Sequence, residues 1–374
     1  MDGGPYVKMK KTCFIIPTLD AGGIETYLLR FLGHLPQRDN VTVVVRNQKK
    51  GDLFEAYQNT GVDLRFQGLG YLNPGKFRQF YRFLKQEKFE TLCDFTGNFG
   101  GLSMLAAKKA GISNRITFYR RSSHAFKKTP LRLLYANWMN RLVNRHATKI
   151  LSNSLYALEV FFPYRKPDDR RFRVIPNGVD AEMFSVKENR EEARQAFNIP
   201  ADAFVIGHVG RYDPAKNHET MFKVARRLHE EELPVFFVFC GKGTDGVLFQ
   251  EKLRENKILD ITAGIGVSRN IPLLLKALNV FYFPSVTEGQ PNALIEAMMA
   301  GLPVIASDIP PIREVIPRDG HPLLLPPQNI SKATEVLKKL LNKKENFASH
   351  IFKKEAEQKF NWKINFELFQ NELQ

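Results

Sequence analysis

The chain has 374 residues, 43% of them hydrophobic and 25% charged, with a net charge of +16. Single cores stop growing near ~250–300 residues, so two globular domains are expected, and no apolar run approaches the ~18 residues of a membrane span. All the excess charge lies in the first half: residues 1–180 carry 30 Lys and Arg against 14 acids, and residues 181–374 carry 25 of each.

The N-terminus, MDGGPYVKMKK, lacks an apolar signal core, so no export signal is expected, and Met9 reads as a natural start behind an added leader. TCFIIP at 12–17 is a first strand, followed by the loop TLDAGG and the helical pattern IETYLLRFLGHL. That order opens an α/β unit. Gly22 and Gly23 lack a Cβ, so either a ligand approaches their backbone or they simply make a strand-to-helix turn. VTVVVR at 41–46 and DLRFQGL at 63–69 are the next strands. The helix at 75–89 carries Phe77, Phe80, Tyr81 and Leu84 on one stripe, which reads as core. TLCDFTG is a strand, GGLSMLAAKKAG a helix, and RITFYR a strand running into Arg120-Arg121-Ser122-Ser123-His124. The helical stretch TPLRLLYANWMNRLVNRHA and the strand ATKILSNS, expected as the last of the first domain, follow. Such alternation predicts a parallel, doubly wound sheet with ligands beyond the carboxyl ends of its strands. Arg120, Arg121 and His124 stand at one of those ends. Between Asp94 and Glu159 there is no acid but 11 Lys and Arg, which suggests an anionic partner.

Pro176 and Gly178 mark a turn within RFRVIPNGVD at 171–180, after which the pattern restarts. AFVIGHVG at 203–210 is a strand, RYDPAKN a loop, and Asn217 a candidate N-cap for HETMFKVARRLHEEE. Arg211 and Lys216, two cations before a helix start, suit a diphosphate or are surface charges. PVFFVFCG leads into Gly241-Lys-Gly-Thr-Asp-Gly246, formally G-x-G-x-x-G, with Asp260 further on. That spacing matches a dinucleotide fingerprint, but it follows the second strand of its domain, not the first.

The stretch 284–308, PSVTEGQPNALIEAMMAGLPVIASD, reads as a turn, a helix beginning at Pro291 and stopped by Gly301, and the buried strand VIAS. Glu288 precedes the helix, and Glu296 lies roughly 7 Å along its axis from Pro291. The N–H groups of Asn292, Ala293 and Leu294 open toward any anion placed at the helix start. The two acids either bracket a ligand carrying phosphates and hydroxyls or merely complement the helix dipole. Cys13, Cys93 and Cys240 fit neither metal spacing nor a disulfide framework and read as reduced buried thiols. There is no D-x-D motif, no P-loop and no Ser-His-Asp or Cys-His pattern.

Glu288 and Glu296 stand in the E-x7-E arrangement of retaining GT-B glycosyltransferases, and EGQPNALIEAMMAGLPVIASD resembles the signature of glycosyltransferase family 4. GGIETYL, GRYDPAKN and the junction at 171–180 are similar to further motifs of that family. The resemblance implies an α/β GT-B fold, two Rossmann-like doubly wound domains facing across a cleft. Residues 1–175 would form the acceptor-binding domain, 176–345 the nucleotide-sugar domain, and 346–374 a helix crossing back to the first. It implies that Gly22, Gly23, Arg211 and Lys216 face the donor diphosphate and that Gly241 lets its loop pass near the nucleotide. Glu288 would contact the sugar hydroxyls and Glu296 the ribose, with the helix start at Asn292, Ala293 and Leu294 beside the phosphates. His124 would be the acceptor-side histidine, next to Arg120 and Arg121. The implied activity is transfer of a hexose, with retention and without metal or other cofactor. The donor is a nucleotide-sugar, UDP-sugars being commonest in the family, and the acceptor a glycan.

The acid-free stretch, with Phe126, Lys127, Lys128 and Arg132, suggests that a basic first domain docks on an anionic membrane from the cytoplasmic side and takes a lipid-linked acceptor. Two other classes stay open on the sequence: a nicotinamide-dependent oxidoreductase resting on 241–246, and a nucleic-acid-binding protein resting on charge. The second lacks any recognisable binding module, so no nucleic-acid partner is expected.

Overall fold

The computed structural model describes residues 9–47, 49–70, 73–123, 129–268, 270–342 and 349–374. The chain divides into two compact units, the first ending at Gly178 and regaining Trp362–Gln374, the second spanning Val179–Asn361.

The first unit is a seven-stranded parallel sheet. Its strands are β1 (Thr12–Ile16), β2 (Val41–Val45), β3 (Asp63–Phe66), β4 (Thr91–Asp94), β5 (Asn114–Tyr119), β6 (Lys149–Ser152) and β7 (Phe172–Val174), in the order β3-β2-β1-β4-β5-β6-β7. Helices α1 (Gly23–His34), α2 (Phe54–Gln58), α3 (Pro74–Glu87), α4 (Gly101–Ala110), α5 (Pro130–His146) and α6 (Leu155–Phe161) connect them. The β-branched, wholly apolar run VTVVV makes β2 a strand buried on both faces. On β1, Phe14 and Ile16 enter one core and Cys13 and Ile15 the other, as the two-residue period of a strand requires. In α3, Phe80 and Leu84 of the expected stripe are buried, while Phe77 and Tyr81 are partly buried. β6 is not the last strand: the edge strand β7 follows it. β7 is three residues long and mostly exposed, so no apolar period marks it in the sequence.

The second unit holds the parallel sheet β10-β9-β8-β11-β12, made of β8 (Phe204–Val209), β9 (Val235–Cys240), β10 (Thr262–Gly266), β11 (Val280–Phe283) and β12 (Val304–Ala306). One face is covered by α7 (Arg190–Ala196) and the other by α8 (His218–Glu230) and α9 (Val247–Glu255). α10 (Ile271–Ala277) and α11 (Asn292–Met299) join the α7 side, and α12 (Pro310–Arg313) supplies Ile312 to that core. α13 (Ile330–Leu341) joins the opposite face, and α14 (Ser349–Lys359) packs on α11.

The last helix, α15 (Trp362–Leu373), returns to the first unit. Where the sequence reading groups 346–374 together, the division falls at 361/362, so α14 stays with the second unit. α15 inserts Phe366 and Phe369 among Phe14, Tyr27, Phe31 and Phe95; the Phe31 and Phe369 rings lie 4.7 Å apart. The Leu373 carbonyl accepts from Thr91 Oγ1 at 2.8 Å, and that of Glu372 from Asn114 Nδ2 at 2.9 Å.

Candidate active site

In the second sheet the strand order reverses between β8 and β11, which hydrogen-bond to each other. Loops leaving the carboxyl ends at such a reversal form a crevice for ligands. The loop after β8 carries Arg211 and Lys216, and the loop after β11 carries Glu288.

The structure brings Lys216 and Glu288 together. Lys216 Nζ donates to Glu288 Oε1 at 2.6 Å, with side chains 21% and 10% exposed. The ammonium also lies 5.0 Å from the centre of the Phe283 ring. Asp213 caps the short turn Pro214–Lys216 that aims the lysine, accepting from Ala215 N at 2.9 Å. Val286 N donates to Ala215 O at 2.9 Å and ties the two loops together. Asn217 is the N-cap residue of α8, but its side chain does not cap the helix: in a left-handed conformation, φ 59°, its amide nitrogen reaches the carbonyls of Pro284 and Pro327.

Glu296 is buried in α11, and Leu294 is buried beside it. Pro291 serves as the N-cap residue and Asn292 as the first helical one, one position later than the sequence suggests. Ile295 N bonds Pro291 O at 3.2 Å, so the amides of Asn292, Ala293 and Leu294 precede the first helical hydrogen bond. Arg211, by contrast, is exposed and is not in the Lys216–Glu288 pair.

The 241–246 loop explains its own glycines. Gly241 has φ 144°, and a Cβ there would stand 2.3 Å from the Gly210 carbonyl oxygen. Gly210 N donates to Cys240 O at 2.8 Å and Tyr212 N to Lys242 O at 2.9 Å, so the loops after β8 and β9 are laced together. Thr244 Oγ1 accepts from Gly266 N at 3.0 Å, which fastens the loop to β10. The glycines thus let three strand ends meet closely.

Two histidines beneath this loop were not singled out by the sequence. His208 and His218 are 2% exposed, with ring centres 5.1 Å apart. His208 Nδ1 contacts the Tyr282 carbonyl at 3.1 Å, and neither nitrogen of His218 has a hydrogen-bond partner. Burial, with the Lys216 charge nearby, pushes His218 down from 6.5 to about 4; Asp213 opposes this weakly. His208 is also pushed well down by burial, His218 and Lys216. Both are therefore neutral in the fold but take protons when unfolded. Stability is expected to fall as pH drops from about 6.5 to about 4, by about 3 kcal/mol for His218 alone. Thermal unfolding between pH 7 and 4.5 checks this, and His218→Phe should flatten the dependence.

In the first unit, Gly22 is the N-cap residue of α1, and a Cβ there would meet Glu25 Oε2 at 2.5 Å. Its bareness accommodates the buried Glu25, whereas a Cβ on Gly23 would meet nothing within 4 Å. Burial raises the Glu25 carboxyl, and Arg121 partly offsets this. Arg120 follows β5 and is buried at 9% exposure, and Arg121 beside it is exposed. His124, with Phe126, Lys127 and Lys128, lies outside the described residues. All three cysteines are buried and free. Among the described residues, no helix is long and apolar enough to cross a membrane.

Two Rossmann-like parallel sheets in one chain are the architecture of the GT-B glycosyltransferases. Residues 21–183 match the model of Glycosyltransferase Family 4 and residues 189–359 that of Glycosyl transferases group 1, and the chain belongs to this enzyme family. It is similar to EpsF of Bacillus subtilis, 28% identical over 309 residues that make up 80% of this chain and 79% of that one. It is 30% identical to the UDP-Gal:alpha-D-GlcNAc-diphosphoundecaprenol alpha-1,3-galactosyltransferase of Escherichia coli, over 61% of this chain and 60% of that one. Its fold matches HepE of Anabaena, solved in complex with UDP-glucose, at a TM-score of 0.82 and 18% identity, covering 98% of this chain and 99% of that one. Family membership overturns the oxidoreductase alternative for 241–246.

Proposed function

We propose that the chain is a retaining, metal-independent hexosyltransferase that moves a sugar from a UDP-sugar to a lipid-linked glycan acceptor in cell-surface polysaccharide synthesis. The observation carrying this reading is the Lys216–Glu288 pair, set between the β8 and β11 strand ends and next to the start of α11. Departure of a nucleoside diphosphate leaves charge on the β-phosphate, and fixed donors must offset it. An ammonium has three donors, of which Glu288 takes one, so Lys216 can serve a phosphate without leaving its partner. The amides of Asn292, Ala293 and Leu294 supply the second positive element, Arg211 reaches the diphosphate from solvent, Glu296 holds the ribose, and Glu288 orients the sugar. The UDP-bound HepE structures and the Escherichia coli galactosyltransferase support the choice of UDP and of a diphosphate-lipid acceptor.

A thermal-shift series with UDP, GDP, NAD and single-stranded RNA tests the donor assignment. UDP at about 100 times its dissociation constant should stabilise the protein by about 2.7 kcal/mol. Stabilisation by NAD or RNA with none by UDP would overturn it. NMR of the first-formed product anomer tests retention.

The acceptor assignment places the enzyme on the cytoplasmic face of a membrane. Leu131, Leu134 and Trp138 of α5 are 80%, 65% and 39% exposed and follow one another at helical spacing, with Arg132 and Arg141 on the same helix. An apolar stripe flanked by cations suits an anionic bilayer surface. Co-sedimentation should be strong with vesicles rich in phosphatidylglycerol and weak with pure phosphatidylcholine. Leu131→Asn with Leu134→Asn should reduce it severalfold, and equal binding to both vesicle types would refute membrane docking.

A further inference from the structure

A cavity of about 470 Å³ opens in the first unit at the carboxyl ends of β1 to β5, where the strand order reverses between β1 and β4. Arg46 follows β2, Arg120 and Arg121 follow β5, and Lys76 comes from the first turn of α3; all four line it. Among the described residues, no aspartate or glutamate lines it.

Arg120 is the unusual member. It is 9% exposed, and one amino group, Nη2, donates to Asn177 Oδ1 at 2.6 Å. Its Nε and Nη1 have no hydrogen-bond partner. The guanidinium lies 3.5 Å from the centre of the Tyr27 ring and stacks on its face. Glu25 acts on it electrostatically, but the Glu25 carboxyl accepts from Thr18 Oγ1, at 3.3 Å, and does not line the cavity. Burial lowers Arg120 only to about 10, so it stays cationic at neutral pH. A buried cation with two idle donors is costly unless an anion completes it. Arg46 likewise spends its Nη1 on neutral acceptors, Thr96 Oγ1 and the Phe99 carbonyl.

We propose that this cavity binds the phosphoryl part of the acceptor, a phosphate or diphosphate ester, with Arg120 and Arg46 as its guanidinium ligands and Lys76 at its edge. The proposal rests on the glycosyltransferase reading for the word acceptor, but not for the anion. Even with Glu25 offsetting part of Arg120 and Arg121, the four cations of the lining exceed what one carboxylate of a sugar acid would neutralise, and they suit the two or three charges of a diphosphate. Guanidinium forks match phosphoryl oxygens in pairs.

The test is calorimetric titration of inorganic pyrophosphate into the full chain held at saturating UDP, which occupies the donor site. Sodium sulfate at matched ionic strength is the control. Saturable binding is expected, weakened about tenfold by Arg46→Gln and less by Lys76→Gln. Arg120→Met should bind far more weakly still, yet unfold at a higher temperature without ligand, because an uncompensated charge has been removed. A merely structural arginine would lower that temperature. If Arg120→Met does not fold, the Arg46→Gln result decides. Geranyl diphosphate binding more tightly than pyrophosphate assigns the anion to a lipid; equal binding assigns it to the phosphoryl group alone, and either supports the site. No heat beyond the sulfate control, or unchanged binding in Arg46→Gln, overturns it. Hydrolysis of UDP-sugar by the wild type is read separately: turnover without pyrophosphate binding sinks the cavity proposal alone, and binding without turnover sinks only the UDP-sugar donor reading.

Discussion

Glu288→Ala is expected to abolish sugar transfer while leaving the fold intact. The side chain is 10% exposed and its carboxylate is held by Lys216 Nζ at 2.6 Å, so its position is set before any donor arrives. Truncation removes the partner that fixes the lysine and, on the proposed function, the acceptor for a sugar hydroxyl. The loop should survive, because its anchors are Val286 N to Ala215 O and the Asn217 amide to Pro284 O, none of which involves Glu288. Transfer assayed with a UDP-sugar panel, alongside thermal unfolding, checks both halves. More than a tenth of wild-type turnover in a folded variant would remove Glu288 from the mechanism.

Lys216→Met carries the second large effect. Methionine keeps the bulk of the side chain over Phe283 but removes the charge proposed to meet the leaving diphosphate. Loss of one preorganised donor to developing negative charge typically lowers kcat by about 10²–10³, or about 2.7–4 kcal/mol. The fall should appear in kcat more than in KM, because the charge on the β-phosphate grows in the transition state. Arg211→Ala should fall in the same range if it also touches the β-phosphate, but its exposure gives it no fixed geometry beforehand. A double-mutant cycle with Glu288→Ala, read in thermal stability because transfer is lost, should be non-additive, since the two groups share a bond.

Much of this was legible in the sequence because it is written locally. VTVVV, VFFVFC and VFYF are strands by composition, and Gly301 with φ 74° is the helix stop it reads as. The Lys216–Glu288 contact joins residues 72 apart, and no periodicity reports such a pairing; only the resemblance of their two motifs to one family set them in the same site. β7 was missed because three partly exposed residues carry no alternation. Asn217 reads as a helix cap because asparagine usually caps through its side chain, yet here the side chain serves two distant carbonyls, a demand set by tertiary packing. His208 and His218 gave no signal, since a buried neutral histidine looks like any other until its neighbours are known. Arg120 was noticed for its charge, while its burial, which gives it chemical interest, emerges only from the stacking with Tyr27.

The return of α15 has a consequence for how the protein is made. Phe366 and Phe369 complete an aromatic cluster whose other members, Phe14, Tyr27, Phe31, Phe95 and Phe118, are made some 250 to 350 residues earlier, so the first-made unit must wait with that face unsealed. The second unit, continuous from Val179 to Asn361, takes nothing from α15 into its cores. A chain released after residue 361 should therefore present a finished second half and a sticky first half, a state open to aggregation and to proteases.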